Sequence, residues 1–217
     1  MREKEENVVR VPVDGDFIEG NLRVPSDAKG VVLFAHGSGS SRFSSRNQYV
    51  ANVLNNAEIA TLLIDLLTED EEKVDVRTRQ FRFDIGLLTE RLISAAEWLK
   101  NNPRTQKLKL GVFGSSTGAA AALNAAAKLP EDVVAVVSRG GRPDLAMENL
   151  AEVRAPSLFI VGGRDVVVIN LNKKAMAEVS AEKKLEIVAG ATHLFEETGR
   201  LEEVARLATE WFLKYLN

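Results

Sequence analysis

A Gly-x-Ser-x-Gly pentapeptide constrains the fold of this chain more than any other feature. It lies at Gly114–Gly118, after the mostly apolar run Leu108–Phe113 and directly before the alanine-rich run Ala119–Leu129. This order predicts a buried strand, a sharp turn and a helix. A turn this tight holds its central residue in a strained conformation and needs flanking residues with almost no side chain. The two glycines meet that need, which leaves Ser116 exposed at the end of the strand.

The residue after this serine adds a second chemical feature. Thr117 is the first residue of the predicted helix, and the amide of a first helical residue has no carbonyl partner within the helix. Such an amide stabilises negative charge nearby. We therefore interpret the turn as a nucleophile site. The alternative is a glycine-rich turn in which Ser116 is an ordinary helix N-cap.

The remaining chain predicts one α/β domain, residues 1–217. Two alternating segments around Asp14–Asp16 predict a β-hairpin. Buried strands then alternate with amphipathic helices, which favours a doubly wound, mostly parallel sheet. The predicted strands after the hairpin are Val31–Ala35, Ile59–Ile64, the one before Ser116, Val133–Ser138, Pro156–Val161 and Lys184–Ala189, and the predicted helices include Leu171–Val179 and Arg200–Leu216. Within the long excursion at 66–83, the acidic run predicts a solvated surface turn.

Composition excludes several classes of function. The 217 residues carry a net charge of −3 and no cysteine. Without a basic excess we expect no nucleic-acid partner, and without a run of about eighteen apolar residues we expect no membrane span. The charged N-terminus lacks the apolar core of a signal peptide, so we expect a cytoplasmic protein. The sequence predicts no cofactor and no metal, and it leaves the oligomeric state open.

Three residues that follow predicted strands form a candidate catalytic set. Ser116, Asp165 and His193 occur in this order, each just after a buried strand. Strand carboxyl ends gather at one edge of a parallel sheet, so we expect these side chains to lie together. We predict that His193 is the base that activates Ser116 and that Asp165 orients it. Taken singly, His193 could merely cap a helix and Asp165 could be a turn residue, and Asp65 and Glu196 are rival acids.

The second histidine belongs to a loop of small residues, His36-Gly-Ser-Gly39. Small residues allow a backbone amide to approach a substrate oxygen. We predict that the amides of Ser38 and Thr117 form the oxyanion hole, with Gly39 as the fallback for Ser38. His36 is expected to support this loop rather than to transfer protons.

These motifs resemble the α/β-hydrolase superfamily over nearly the whole chain. The hairpin, His-Gly-Ser-Gly, Gly-Ser-Ser-Thr-Gly, Gly-Gly-Arg-Asp and Gly-Ala-Thr-His carry the resemblance, and the small size is similar to the dienelactone-hydrolase-like branch. The resemblance implies about eight strands, the second antiparallel, and ester hydrolysis through an acyl-enzyme. Dienelactone hydrolases proper use a cysteine nucleophile, whose place Ser116 takes here. This departure concerns the dienelactone substrate and not the fold.

The loops suggest the kind of substrate. The interval between Ser138 and Pro156 holds only one short helix, so we expect a site with no lid or nearly none. Arginine suits carboxylates because its planar fork donates two parallel hydrogen bonds. We predict a small ester or lactone that carries a negative charge, with Arg42, Arg139 and Arg142 as candidate binding residues. The alternative for the arginines is that they are scattered, solvated residues.

Two other functions remain open at this point. The first is a non-catalytic protein of the same fold that binds a ligand or a partner. The second is a different reaction of the same three residues, such as acyl transfer, thioester or peptide cleavage, or perhydrolysis.

Overall fold

The computed structural model describes residues 7–217 and contains one sheet of eight strands. The expectation of no signal peptide rests on the charged N-terminal segment, and that segment lies outside the described residues. The strands are β1 (Asn7–Val13), β2 (Asp16–Arg23), β3 (Gly30–Ala35), β4 (Ile59–Ile64), β5 (Leu110–Ser115), β6 (Val133–Arg139), β7 (Ser157–Gly162) and β8 (Lys183–Val188).

The helices follow the strands in near-regular alternation. They are α1 (Ser45–Asn56), α2 (Glu69–Thr78), α3 (Ile85–Asn101), α4 (Thr117–Lys128), α5 (Val166–Glu178) and α6 (Arg200–Leu216), with a 3₁₀ segment at Pro143–Glu152. No helix among residues 7–217 is both long and apolar enough to cross a membrane.

The sheet has the order β1-β2-β4-β3-β5-β6-β7-β8. β2 is antiparallel to both β1 and β4, and every other pair is parallel. The strand before the candidate serine, β5, is therefore central, and its six residues are all buried. Parallel strands covered on both faces are continuous apolar runs, as predicted. The predicted α/β fold, with its mostly parallel sheet of about eight strands, is confirmed.

Two helical layers cover the sheet. α1 and α6 pack on one face, whereas α3, α4, α5 and the 3₁₀ segment lie on the other. Between β6 and β7 the chain forms only the 3₁₀ segment, which confirms the expectation of a fold with almost no lid. That residues 1–217 form a single domain stays a prediction, and the single sheet of the described residues agrees with it.

The acidic run of the excursion is where the predicted structure is wrong. Glu69–Thr78 is a helix rather than a surface turn. Thr68 and Glu71 form a capping box, in which each side chain binds the backbone amide of the other residue. Four acidic residues in the first turn also interact favourably with the positive end of the helix dipole.

The start of α5 also differs from the prediction. The helix begins at Val166, directly after Asp165, and not at Leu171. The run Val166–Ile169 is β-branched, and such residues have low helix propensity. Tertiary contacts outweigh that preference here, because Val168 and Ala175 are buried against the core.

Candidate active site

Ser116 lies in the strained turn that its glycines predict. Its backbone has φ 51° and ψ −122°, values that a residue with a side chain rarely adopts. A Cβ at Gly114 would lie 2.4 Å from the Cα of Ala119, and one at Gly118 would lie 2.4 Å from the carbonyl oxygen of His36. Both glycines are therefore required for α4 to pack so close to β3 and β5, and this packing sets the position of Ser116.

Asp165 and His193 are hydrogen-bonded to each other. The Nδ1 of His193 lies 2.7 Å from Oδ2 of Asp165, and the Asp165 and His193 side chains are 16% and 39% exposed. Because a carboxylate accepts and does not donate, this bond places a hydrogen on Nδ1 and leaves Nε2 as the basic atom of a neutral ring. The pair is thus arranged as an oriented base.

The two loops that carry this pair are joined through their backbones. The amide of Arg164 donates to the carbonyl of Ala191 at 2.9 Å. Gly162 allows the approach, because a Cβ there would lie 2.4 Å from the carbonyl oxygen of Thr192. The carboxylate of Glu197 in turn accepts the amide of Thr192, which fixes the residue before His193.

Residues at the end of β6 contact both Ser116 and His193. The amide of Ser116 donates to the carbonyl of Arg139 at 3.2 Å. A Cβ on the next residue, Gly140, would lie 3.5 Å from Cε1 of His193. No hydrogen bond joins Oγ of Ser116 to His193 within residues 7–217. Catalytic hydrogen bonds are often long before substrate binds.

The rival acids bind other partners. The carboxylate of Asp65 accepts the backbone amide of Arg42 at 2.8 Å and also pairs with its guanidinium. Glu196 pairs with Arg46. Neither is the partner of His193, so the geometry favours Asp165 among the three candidate acids.

His36 supports the loop that follows β3. Its Nδ1 lies 2.8 Å from the carbonyl oxygen of Gly37, and its Nε2 accepts the amide of Leu66 at 3.1 Å. Burial lowers the pKa of this imidazole, against the opposing effects of the Gly37 carbonyl and the Asp65 carboxylate. Both ring nitrogens of a neutral His36 are therefore used in holding the loop.

The predicted oxyanion amides lie close to Ser116, but one of them already has a partner. A Cβ on Gly37 would lie 3.0 Å from Cβ of Ser116, so this loop packs directly over the serine. The amide of Ser38 donates to Oγ1 of Thr117 at 2.9 Å. The fallback, Gly39, has φ 70° and faces the guanidinium of Arg82. The amide of Thr117, at the start of α4, is in the predicted position.

The three candidate arginines differ in how far their charge is already balanced. Arg42 pairs with both Asp65 and Glu19. Arg142 forms a bidentate pair with Asp144 at 2.8 and 2.7 Å, which raises the pKa of its guanidinium. Neither is free to bind an anion, so the geometry gives no support to a substrate role for Arg42 or Arg142.

Arg139 has no carboxylate partner among residues 7–217. It is 8% exposed, its Nη2 donates to Oδ1 of Asn47 at 3.3 Å, and its Nε and Nη1 have no partner among the described residues. Burial, followed by the neighbouring charge of Arg46, lowers the pKa of Arg139 to about 10. A buried cation of this kind is costly unless an anion approaches it.

A cavity lies beside the candidate site rather than over the serine. It has a volume of about 800 Å³, adjoins the loop at His36 and Ser40, and contains no member of the candidate triad. Its lining includes six acidic and three basic side chains, so its excess charge is negative: Asp16, Glu19, Asp65, Glu69, Asp70 and Glu72 against Arg10, Arg42 and Lys73. An anionic substrate would be repelled from this cavity.

Apolar side chains beside the candidate triad were not predicted from the sequence. Val166 and Val167 follow Asp165, and Leu194 follows His193; all three side chains are exposed. Exposed apolar side chains at a site edge offer contact area for a substrate. The sequence signal for these residues is that they directly follow two members of the candidate triad. Within residues 7–217 there is no cluster of side chains suited to a metal ion.

A mostly parallel eight-stranded sheet, a strained turn at Ser116 after the central strand and a following Asp–His pair are typical of the α/β-hydrolase fold class. The chain matches the dienelactone hydrolase family over residues 22–216, and it belongs to that family.

Two solved structures are similar to nearly the whole chain. A dienelactone hydrolase from Anabaena variabilis is 58% identical, with a TM-score of 0.97 over 98% of this chain and 99% of that one. An esterase from Pyrococcus furiosus shares the fold at 16% identity, with a TM-score of 0.78 over 98% of this chain and 94% of that one.

A longer relative carries a different name. A Mycobacterium tuberculosis protein, provisionally named a phosphoribosyl transferase, is 55% identical over 216 residues, which are 100% of this chain and 47% of the relative. The chain thus spans about half the length of this curated relative.

Proposed function

We propose that this chain is a serine hydrolase that cleaves a small ester or lactone through an acyl-enzyme on Ser116. The observation that carries the proposal is the 2.7 Å bond between Asp165 and His193, at the same sheet edge as the strained serine turn. Family membership supports hydrolysis, and the geometry supports the choice of nucleophile and base.

The reaction then proceeds in two halves. His193 Nε2 takes the hydroxyl proton of Ser116 as Oγ bonds to the substrate carbonyl carbon, and the carbonyl oxygen gains the negative charge. The carbon–oxygen bond to the leaving group breaks, and His193 returns the proton to the departing alkoxide. Water then attacks the acyl carbon with His193 again as base, which releases the acid and restores Ser116. Asp165 stabilises the positive imidazolium in both halves.

A site with almost no lid supports a small substrate. The 3₁₀ segment Pro143–Glu152 is too short to enclose a long acyl chain, and Val166, Val167 and Leu194 offer limited apolar area. We therefore expect activity on short p-nitrophenyl esters, and this activity should not rise steadily with acyl chains beyond about ten carbons. A ten-carbon chain has about eight more methylenes than an acetyl group, and their burial would need a larger apolar surface.

Among the candidate arginines, Arg139 is the one that supports a negative charge on the substrate. Its guanidinium is buried, and two of its nitrogens have no hydrogen-bond partner among residues 7–217, so an anion that reached this guanidinium would balance its charge. The neighbouring Arg46 adds little to this attraction, because it already pairs with Glu196. Arg139→Met should raise KM for a carboxylate-bearing short ester, most at low salt, and should change the matched neutral ester little. Arg142→Met is the matched control, because that guanidinium already pairs with Asp144. A neutral-ester preference that ignores salt would overturn the anionic substrate.

The test of the reaction type uses one panel of substrates. Purified protein is assayed on a short p-nitrophenyl ester, a lactone, a thioester and an anilide, beside Ser116→Ala. We expect turnover of the ester or lactone and its loss in the variant, by about 10³–10⁶ in kcat. Turnover of the thioester alone would instead indicate a thioesterase. An inert wild-type protein that keeps its fold would indicate the non-catalytic alternative.

The name of the mycobacterial relative does not direct this proposal. That protein extends over more than twice the matched length, and the half that is similar to this chain aligns with residues that match a hydrolase family. No observation on this chain favours phosphoribosyl transfer.

A further inference from the structure

The contact between Ser38 and Thr117 changes how the oxyanion hole can work. The amide of Ser38 donates to the threonine hydroxyl at 2.9 Å, and Thr117 is only 4% exposed. The loop that carries this amide lies against Ser116, because a Cβ on Gly37 would be 3.0 Å from the serine Cβ. A buried hydroxyl on the residue next to the nucleophile therefore binds the amide that was expected to act on the oxyanion.

The hydrogen of this hydroxyl is free to donate. A threonine hydroxyl has one donor hydrogen and two acceptor lone pairs, and the Ser38 amide uses one lone pair. Within residues 7–217, no acceptor receives the hydroxyl hydrogen of Thr117. Other helical threonines do spend theirs on the carbonyl four residues earlier: Thr78 on Val74 at 3.1 Å, Thr89 on Ile85 at 2.6 Å and Thr209 on Ala205 at 2.7 Å.

Helix position explains the difference. Thr117 is the first residue of α4, so the residue four positions earlier belongs to strand β5 and not to the helix. The common back-bond of helical threonine is a bond to the carbonyl at that position. The hydroxyl is instead held from the other side by Ser38, which fixes the oxygen and turns its hydrogen away from that amide.

We propose that the Thr117 hydroxyl donates a hydrogen bond to the oxyanion that forms when Ser116 attacks the substrate. Thr117 then supplies two donors, its backbone amide and its hydroxyl. The Ser38 amide acts as a positioning group, because its bond polarises the hydroxyl and makes it a stronger donor. This inference rests on the proposed serine mechanism and adds a catalytic residue to it.

The test compares three variants of this residue on a short p-nitrophenyl ester. Thr117→Val keeps the branched shape without the hydroxyl, Thr117→Ala removes hydroxyl and branch, and Thr117→Ser keeps the hydroxyl. Loss of one oxyanion donor costs about 10²–10³ in kcat in other hydrolases. We expect a fall of about 10–10³ for Val and Ala, with KM changed less than about threefold. Thr117→Ser should stay within about fivefold of the wild type in kcat.

A matched control separates catalysis from folding. Thr89→Val makes the same substitution at a buried helical threonine far along the sequence from the site, where the hydroxyl also forms one hydrogen bond. We expect it to lower the unfolding midpoint about as much as Thr117→Val does while leaving kcat unchanged. If the valine variant at 117 does not fold, the alanine and serine variants decide the question by the same comparison.

Two results would overturn the inference. Wild-type or higher kcat in both Thr117→Val and Thr117→Ala would mean that the hydroxyl only occupies the site and that the Ser38 amide binds the oxyanion directly. Equal losses in Thr117→Ser and Thr117→Val would mean that shape and not the hydroxyl matters. The proposed function fails separately, because full activity of Ser116→Ala would overturn the serine mechanism itself.

Discussion

Asp165→Asn is the substitution whose effect the geometry defines most closely. Asparagine has nearly the same shape, but its amide group can donate to Nδ1 of His193, which would place the imidazole hydrogen on Nε2. The ring would then present a donor and not a base to Ser116. The variant also loses the negative charge that would stabilise the imidazolium in both halves of the proposed reaction.

The size of the charge effect follows from the distance and the exposure. With 2.7 Å between Oδ2 and Nδ1, the carboxylate and the delocalised imidazolium charge are about 4 Å apart. Their attraction is about 4 kcal/mol near a protein surface and about 1 kcal/mol in water. Because His193 is 39% exposed, the value lies between these limits, which corresponds to a factor of about 10–10³ in rate. With the tautomer effect added, we expect kcat to fall by about 10²–10⁴.

The assay measures kcat and KM on a short p-nitrophenyl ester for Asp165→Asn beside Asp65→Asn. Asp65 is the rival acid, and it binds Arg42 instead of a histidine. Its variant should lose stability in the loop after β3 while keeping kcat within about tenfold of the wild type. Full activity of Asp165→Asn beside an inactive Asp65→Asn would refute the reasoning and move the acid to β4.

Two further outcomes concern the scaffold of the site. Gly118→Ala should lower the free energy of unfolding by about 1–3 kcal/mol, because the new Cβ would lie 2.4 Å from the backbone oxygen of His36. This cost should exceed the gain from the better helix propensity of alanine. Thermal unfolding measures the effect, with Gly86→Ala as the control, and an unchanged midpoint in Gly118→Ala would contradict the prediction. His36 keeps a lowered pKa when folded, so the unfolded chain takes up more protons just below pH 6.5. The contribution of neutral His36 to the free energy of unfolding should therefore be fully present above pH 6.5 and should decline as the pH falls towards the folded pKa. Urea titrations at several pH values should show a smaller decline in His36→Gln than in the wild type. Equal declines in the two proteins would count against a neutral imidazole.

The central part of the site could be predicted because its residues follow from local rules. The two glycines around Ser116 are required by contacts with backbone atoms, so their spacing already contains the turn. Asp165 and His193 follow strands that end at the same sheet edge, and periodicity alone identifies those strands. These short-range signals are enough to predict the succession of strands and helices along the chain and the candidate catalytic residues.

Features that depend on tertiary partners could not be predicted in the same way. The capping box of Thr68 and Glu71 is a local signal that was overlooked, whereas the early start of α5 depends on packing that overrides β-branched residues. Whether the charge of a loop arginine is already balanced depends on its folded neighbours: Arg42 pairs with Glu19, 23 positions away in the sequence, whereas the guanidinium of Arg139 bonds only Asn47 within the described part of the chain. The engagement of Ser38 by a side chain of α4 is likewise a contact across 79 positions.

Labelling with a fluorophosphonate tests the central claim most directly, because an activated serine displaces fluoride from this reagent and forms a stable phosphonate ester. Peptide mass spectrometry then locates the adduct. The account predicts one adduct on Ser116, absent from Ser116→Ala and strongly slowed in Asp165→Asn. Ser115 is the internal control, since its buried hydroxyl donates to the carbonyl of Ala35 at 3.3 Å. An adduct on Ser115 or at another position, or ester hydrolysis that continues with no adduct, would contradict the account.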